Sequence, residues 1–368
     1  MKRLSRFLIM PLGALLAGTA PAAAQLIPNL PEIPRTTVTD QVATEEGLQT
    51  NTQIFTNAIS ARVADALRPF GLHAPASRQQ TAMGIAMGGV ELTAGELTTA
   101  PISATWGAWG RAATSWLDDD YTDTAMNGRI HAPVLGVDKV QNGTVLGFSL
   151  GYERVDLSTK FNDGRLTADG VSFLPYIGTL LTDDLVLDAG LAYTRLRYHR
   201  QDNRHTSRAS RREFDADRLL LFSNLTAHAP VEWTGDGLGV AAITGLSWAL
   251  ESQEGSQDSS GRDVDGGLNR LGRWTVGLRA DSTPRASADG TPGFAPMASL
   301  TYQLDFVQSN DTELNETQRP KDRSTLLGAL GFSVGLAPGA QLTVEYNRLF
   351  ARRKMDSQTL LAGARISL

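Results

Sequence analysis

From Ala104 to Leu368, apolar side chains alternate with small or polar ones in segment after segment. In Thr144–Glu153, Leu146, Phe148, Leu150 and Tyr152 share one parity, and Gly147, Ser149, Gly151 and Glu153 share the other. Leu238–Glu251, Arg273–Asp281, Phe294–Phe306 and Thr325–Leu336 repeat the pattern. So does Thr359–Leu368, where Leu360, Ala362, Ala364, Ile366 and Leu368 oppose Thr359, Leu361, Gly363, Arg365 and Ser367. A strand sends successive side chains to opposite faces, so each segment predicts a strand with one apolar face. Slipping the register by one residue would set Arg279 or Asp305 among the apolar positions, at about 2–4 kcal/mol for an arginine at mid-membrane.

The connections predict how these strands are joined. Short turns fall at Asn142-Gly143, Thr182-Asp183-Asp184 and Ala337-Pro338-Gly339, and Asn-Gly is a strong hairpin signal. Long polar segments fall at Leu117–Arg129, Val155–Asp169, His199–Glu213, Ser252–Asp265 and Val307–Lys321. Alternation of short and long connections, with an apolar outer face, predicts an all-β membrane protein: an antiparallel transmembrane β-barrel of about twelve strands over residues 104–368.

The chain before the barrel reads differently. Met1–Ala24 has Lys2, Arg3 and Arg6 ahead of a short apolar run, then Ala22-Ala23-Ala24 before Gln25. That is the order of a signal peptide and predicts export. Residues 25–103 read as a short leader. Its prolines at 28, 31 and 34 favour extended chain, and Leu72–Ser103 is a connector without periodicity. Within it Phe55, Ala58, Ile59, Arg62, Val63, Ala66 and Leu67 recur at three- and four-residue spacing. This predicts one α-helix over 51–70, in or near the barrel lumen.

Composition narrows the picture little further. The chain has no cysteine, so no disulfide framework stabilises it, and a net charge of −5 argues against nucleic acid as a partner. No metal-binding, cofactor or hydrolase motif stands out. A lipid-facing hydrolytic pair around His131 or His228 is the remote enzymatic alternative, since neither lies in a Gly-x-Ser-x-Gly or His-Glu-x-x-His context. The reading is therefore of a non-enzyme without cofactor.

Parity places Asp138, Glu153, Asp188, Arg273, Arg279, Asp305, Glu345 and Arg365 inside the lumen, to brace the wall or to grip the helix through Arg62 and Arg68. The basic run His199–Arg212 includes Arg204, Arg208, Arg211 and Arg212, which are candidates to bind lipopolysaccharide phosphates. Trp106, Trp109, Trp116, Trp248, Trp274, Tyr302, Phe306 and Tyr346 suit the aromatic girdles of a membrane barrel.

Four stretches together resemble the C-terminal translocator domain of autotransporters (type V secretion). They are Trp106-Gly-Ala-Trp-Gly-Arg111, Asn142-Gly-Thr-Val-Leu-Gly-Phe-Ser-Leu-Gly-Tyr152, Gly170-Val-Ser-Phe-Leu-Pro-Tyr176 and Leu187-Asp-Ala-Gly-Leu-Ala-Tyr193. The resemblance implies a twelve-stranded barrel threaded by a helix. It also implies a Gram-negative outer-membrane location, insertion by the barrel-assembly machinery, and export of an N-terminal passenger by a monomer. Family barrels commonly end in an aromatic residue, whereas this chain ends in Leu368. Residues 25–103 leave no room for a β-solenoid passenger, and they contain no Asn-Asn pair for self-cleavage. The expected function is translocation or display of a short N-terminal segment, or service as an envelope scaffold. The alternative is a passive pore or structural barrel without passenger.

Overall fold

In the computed structural model, the structure describes residues 38–67, 105–120, 125–205, 207, 209–230, 238–282, 293–308, 323–337, 340–352 and 355–368. The predicted signal peptide, most of the leader, the connector and Arg68 lie outside them.

The strands are β1 (Thr105–Asp119), β2 (Met126–Gln141), β3 (Thr144–Thr159), β4 (Gly164–Thr182), β5 (Leu185–Asp202), β6 (Ser210–His228) and β7 (Leu238–Gln253). After a two-rung hairpin, β8 (Ser256–Gln257) and β9 (Asp263–Val264), follow β10 (Gly267–Ser282), β11 (Gly293–Gln308), β12 (Ser324–Ala337), β13 (Ala340–Phe350) and β14 (Met355–Ser367). Twelve of them form one closed antiparallel barrel in which β14 pairs with β1. Closure leaves no unpaired edge, as a lipid environment requires. The Leu368 N–H still donates to the Trp106 carbonyl at 2.8 Å, so the seam is zipped to the last residue.

One end of the barrel carries Thr105, Leu368 and the two-residue turns at Asn142-Gly143 and Asp183-Asp184. Positive φ at both Asn142 (51°) and Gly143 (72°) is the conformation that an Asn-Gly hairpin turn demands. The other end carries the connections 120–125, 160–163, 203–209, 254–266, 309–323 and 351–354.

The apolar parity faces outward. Leu146, Phe148, Leu150 and Tyr152 of β3, and Leu135 of β2, project from the wall, while Ser149 and Glu153 are buried inside. On β3 this band runs from Thr144 to Arg154. Eleven residues of tilted strand span about 25 Å, the height of an apolar barrel belt.

Beyond Arg154 the sense of the alternation inverts. Val155, Leu157, Leu166, Leu196, Tyr198 and Phe214 point inward and are buried together, packed with Met126 and Ile130. Their outward neighbours are charged and pair across strands: Arg165 holds both oxygens of Asp156 (2.8 and 2.6 Å), and Arg195 reaches Asp215 and Asp217 at 2.9 and 2.8 Å. The long polar segments expected at Val155–Asp169 and His199–Glu213 are therefore mostly strand, with only 160–163 and 203–209 as connection. Polarity misled because these outward residues meet water rather than lipid.

Among the described residues a single helix, α1 (Val38–Leu67), threads the lumen. It begins thirteen residues before the expected 51, because its first half lies in a polar lumen and carries no apolar periodicity. Glu46, Gln49, Asn51 and Thr52 are buried there beside Leu48, Ile54 and Phe55. Trp109, expected in a girdle, also points inward: its indole N–H donates to the Tyr176 hydroxyl at 2.8 Å. Trp106 and Trp116, three and seven residues away on the other parity, face outward.

Candidate lumenal site

The barrel grips α1 from Glu46 to Asp65. Near the short-turn end, the Arg62 guanidinium forks onto Asp138 of β2, with Nε to Oδ2 at 2.6 Å and Nη2 to Oδ1 at 2.5 Å. The Tyr176 hydroxyl donates to the same Oδ2 at 2.7 Å. Thus one carboxylate accepts from helix and wall at once, and every partner is buried. A buried ion pair contributes little net stability, but removing one partner strands the other, at about 3–5 kcal/mol. The pair therefore specifies where the helix sits.

Close approach makes the same demand in apolar terms. A Cβ built at Gly178 of β4 would lie 2.1 Å from Val63 Cγ1, and one at Gly151 would lie 3.1 Å from the Phe55 ring. The small residues on the inner parity are thus grooves into which the helix side chains fit.

One turn above Val63, the Ser60 hydroxyl donates to Asp188 Oδ1 at 2.8 Å, and Asn224 Nδ2 donates to both Ser60 Oγ and Asp188 Oδ1. Arg111 Nη1 donates to the Asn57 carbonyl at 3.2 Å while its Nη2 pairs with Glu345. Arg365 Nη1 donates to the Asp65 carbonyl at 3.1 Å. Toward the long-connection end, Arg273 binds Asp305 (2.6 and 3.0 Å) and reaches Gln49 Oε1 at 3.2 Å, and Arg352 pairs with Glu46 at 3.2 Å.

Of the inner-parity residues singled out by sequence, Asp138, Asp188, Arg273 and Arg365 touch the helix, while Asp305 and Glu345 act through an arginine. Glu153 does something else: Arg218 bridges it (2.8 Å) to Glu251 (2.6 Å), and Tyr198 donates to Glu251. This buried triad forms a floor beneath the apolar cluster of the outer end. Arg279 lies 3.7 Å from Asp281 beside a crevice of about 60 Å³ between α1 and the wall formed by β10–β14 and β1. Sequence reading passed over Arg218 and Arg352 because both sit outside the clean alternating segments. Arg111 and Glu251 each had a signal that was not followed: Arg111 in the Trp-Gly-Ala-Trp-Gly-Arg stretch, and Glu251 on the inner parity of Leu238–Glu251.

The three described arginines of the four proposed for lipopolysaccharide do not share a surface. Arg212 points inward, donating to Ser256 Oγ (2.6 Å) and stacking on Phe214. Arg204 is tied to Asp163 at 3.1 Å, Arg211 is exposed, and Arg208 lies outside the described residues. Strand alternation continues through this stretch, so adjacent arginines part company. The His131 ring faces outward, 3.0 Å from the Thr114 hydroxyl.

Residues 108–347 match the family described as "Autotransporter beta-domain". The chain belongs to that family. It is an outer-membrane translocator barrel of the Gram-negative type. In fold it is similar to the translocator domain of the autotransporter NalP from Neisseria meningitidis, at 12% identity, TM-score 0.58, covering 79% of this chain and 94% of that one. It is likewise similar to the β-domain of the Bordetella autotransporter BrkA (16%, TM-score 0.59, 71% and 98%). The transport unit of AIDA-I from Escherichia coli gives 12%, TM-score 0.54, and 79% and 97%. No curated protein sequence matches the chain.

Proposed function

We propose that this autotransporter barrel carries its own N-terminal segment to the cell surface and displays it there, with α1 kept in the lumen as tether and plug. The observation that carries this reading is the direction of the helix. Its C-terminal turns are held by Asp138 and Arg365 near the end where both barrel termini meet. Its N-terminal half is held by Arg273, and by Arg352 in the 351–354 connection, at the opposite end. A chain that enters with its hairpin at the short-turn end and leaves its N-terminus at the long-connection end stops in this arrangement. Outer-membrane barrels place short turns in the periplasm and long connections outside, so the N-terminal end of α1 points to the surface.

The test is an epitope tag near Pro31, probed on intact cells. Antibody binding and removal by added protease are expected. A tag protected until the outer membrane is permeabilised would overturn display. A barrel lacking residues 25–75 should also conduct ions better than the full chain in a planar bilayer; equal conductance would rule out the plug.

A further inference from the structure

We propose that Arg129, His131 and Arg154, on the outward face of β2 and β3 at the long-connection rim, bind the phosphate of a phosphorylated glycolipid in the outer leaflet. The three form one patch. His131 and Arg154 are directly opposed across the β2–β3 ladder, and Arg129 stands two residues from His131 on the same face. Opposed side chains in an antiparallel pair lie about 5 Å apart at Cβ, close enough to share one phosphate.

Their height is set by what lies beneath. Leu135 and Leu150 are outward residues of the apolar band below them, and Tyr152 and Trp116 flank the patch, half exposed. A phosphate held at the rim therefore already has its acyl chains against apolar wall, with aromatic rings at headgroup level.

Charge distinguishes this arc from the rest of the rim. Asp156 is opposite Arg129 in register, but both its oxygens are taken by Arg165. Asp169 receives the Tyr152 hydroxyl and is 3.9 Å from Arg154. On β2–β4, Arg129, Arg154 and Arg165 thus face two carboxylates. On β5–β6, Arg195, Arg197 and Arg211 face three: Glu213, Asp215 and Asp217. The first arc thus keeps a net positive charge and the second does not, so a polyanion is drawn to the first. The Thr114 hydroxyl fixes the His131 ring by bonding Nδ1. With that hydroxyl donating, Nε2 carries the proton and serves as a third donor.

The inference rests on the display orientation, since only then does this rim meet the outer leaflet. The decisive experiment titrates the full chain, delipidated in detergent, with bisphosphorylated lipid A and with its dephosphorylated form, read by native mass spectrometry. Wild type should prefer the phosphorylated form. The double variant R129Q/R154Q should bind it roughly tenfold more weakly, with R129K/R154K partly restoring affinity and R197Q binding as wild type. Retained heat-modifiable gel mobility reports that each variant is folded. Equal binding of both lipid forms by wild type overturns the proposal even if the double variant does not fold. Undiminished binding by R129Q/R154Q overturns it, and so does equal loss in R197Q. Equal affinity for phosphatidylglycerol overturns the assignment to a glycolipid. Failure of the orientation is read separately, by the Pro31 tag, and leaves binding in detergent unchanged.

Discussion

Arg62 of the lumenal helix and Asp138 of β2 meet fork to fork, at 2.6 and 2.5 Å, and Asp138 also accepts from Tyr176. Replacing Asp138 with Ala leaves a guanidinium buried without its counter-charge. We expect a loss of about 3–5 kcal/mol of helix docking, and the double variant Arg62→Met/Asp138→Leu to recover most of it. The measurement is the urea midpoint for release of α1, followed by proteolysis of the N-terminal segment.

The Gly178–Val63 contact gives a steric counterpart. Gly178→Ala forces a Cβ to within 2.1 Å of Val63 Cγ1 unless the helix shifts, which should cost about 1–3 kcal/mol. Adding Val63→Ala should return the midpoint toward wild type. If the two changes are simply additive, the helix does not sit in this groove.

The inversion of faces along β3 predicts opposite tolerances a few residues apart. Leu150→Arg, on the lipid band, should cost about 2–4 kcal/mol, whereas Leu150→Ala should change stability little. Leu157→Ala, in the buried outer cluster, should cost about 2–5 kcal/mol. Refolding titrations in detergent read all three. A small effect at Leu157 would mean that the outer end is not packed.

The Arg218 bridge predicts that the outer end depends on one cation. Arg218→Met leaves Glu153 and Glu251 facing each other in a buried space, so the outer cluster should loosen while the membrane band stays folded. Hydrogen exchange should rise in the ends of β3–β6 beyond Arg154 and not in the strand segments around Leu146–Tyr152.

The 254–266 connection carries a pH prediction. The Ser260 hydroxyl, then the backbone N–H groups of Arg262 and Ser260, hold the Asp258 carboxyl down at about 2 from its ordinary 3.8. Because the folded value is depressed, this contribution is complete above 3.8 and is lost as pH falls through about 2. Asp258→Asn mimics the protonated form at neutral pH, and trypsin should then cut faster after Arg262. An unchanged rate would show that the carboxylate does not order the turn.

What could be read from the chain alone was whatever rests on local periodicity. Alternation from Leu146 to Tyr152, or from Leu360 to Leu368, is imposed by strand geometry and by lipid on one side, so fold class, register and the inner parity of Asp138 or Arg273 were legible. Periodicity fails where both surroundings are polar or where the solvent changes. The first half of α1 lies in a polar lumen and shows no apolar stripe. The outer ends of β3–β6 exchange lipid for water, which reverses the pattern and mimics a loop. Pairings such as Arg62 with Asp138, or Arg218 with Glu153 and Glu251, join residues 76, 65 and 33 positions apart. Only closure of the barrel brings them together. The sequence by itself determined which parity faces inward along the lipid-facing band. Tertiary structure decided which of its side chains touch the helix, because a buried charge is satisfied by whatever the closed wall sets opposite it.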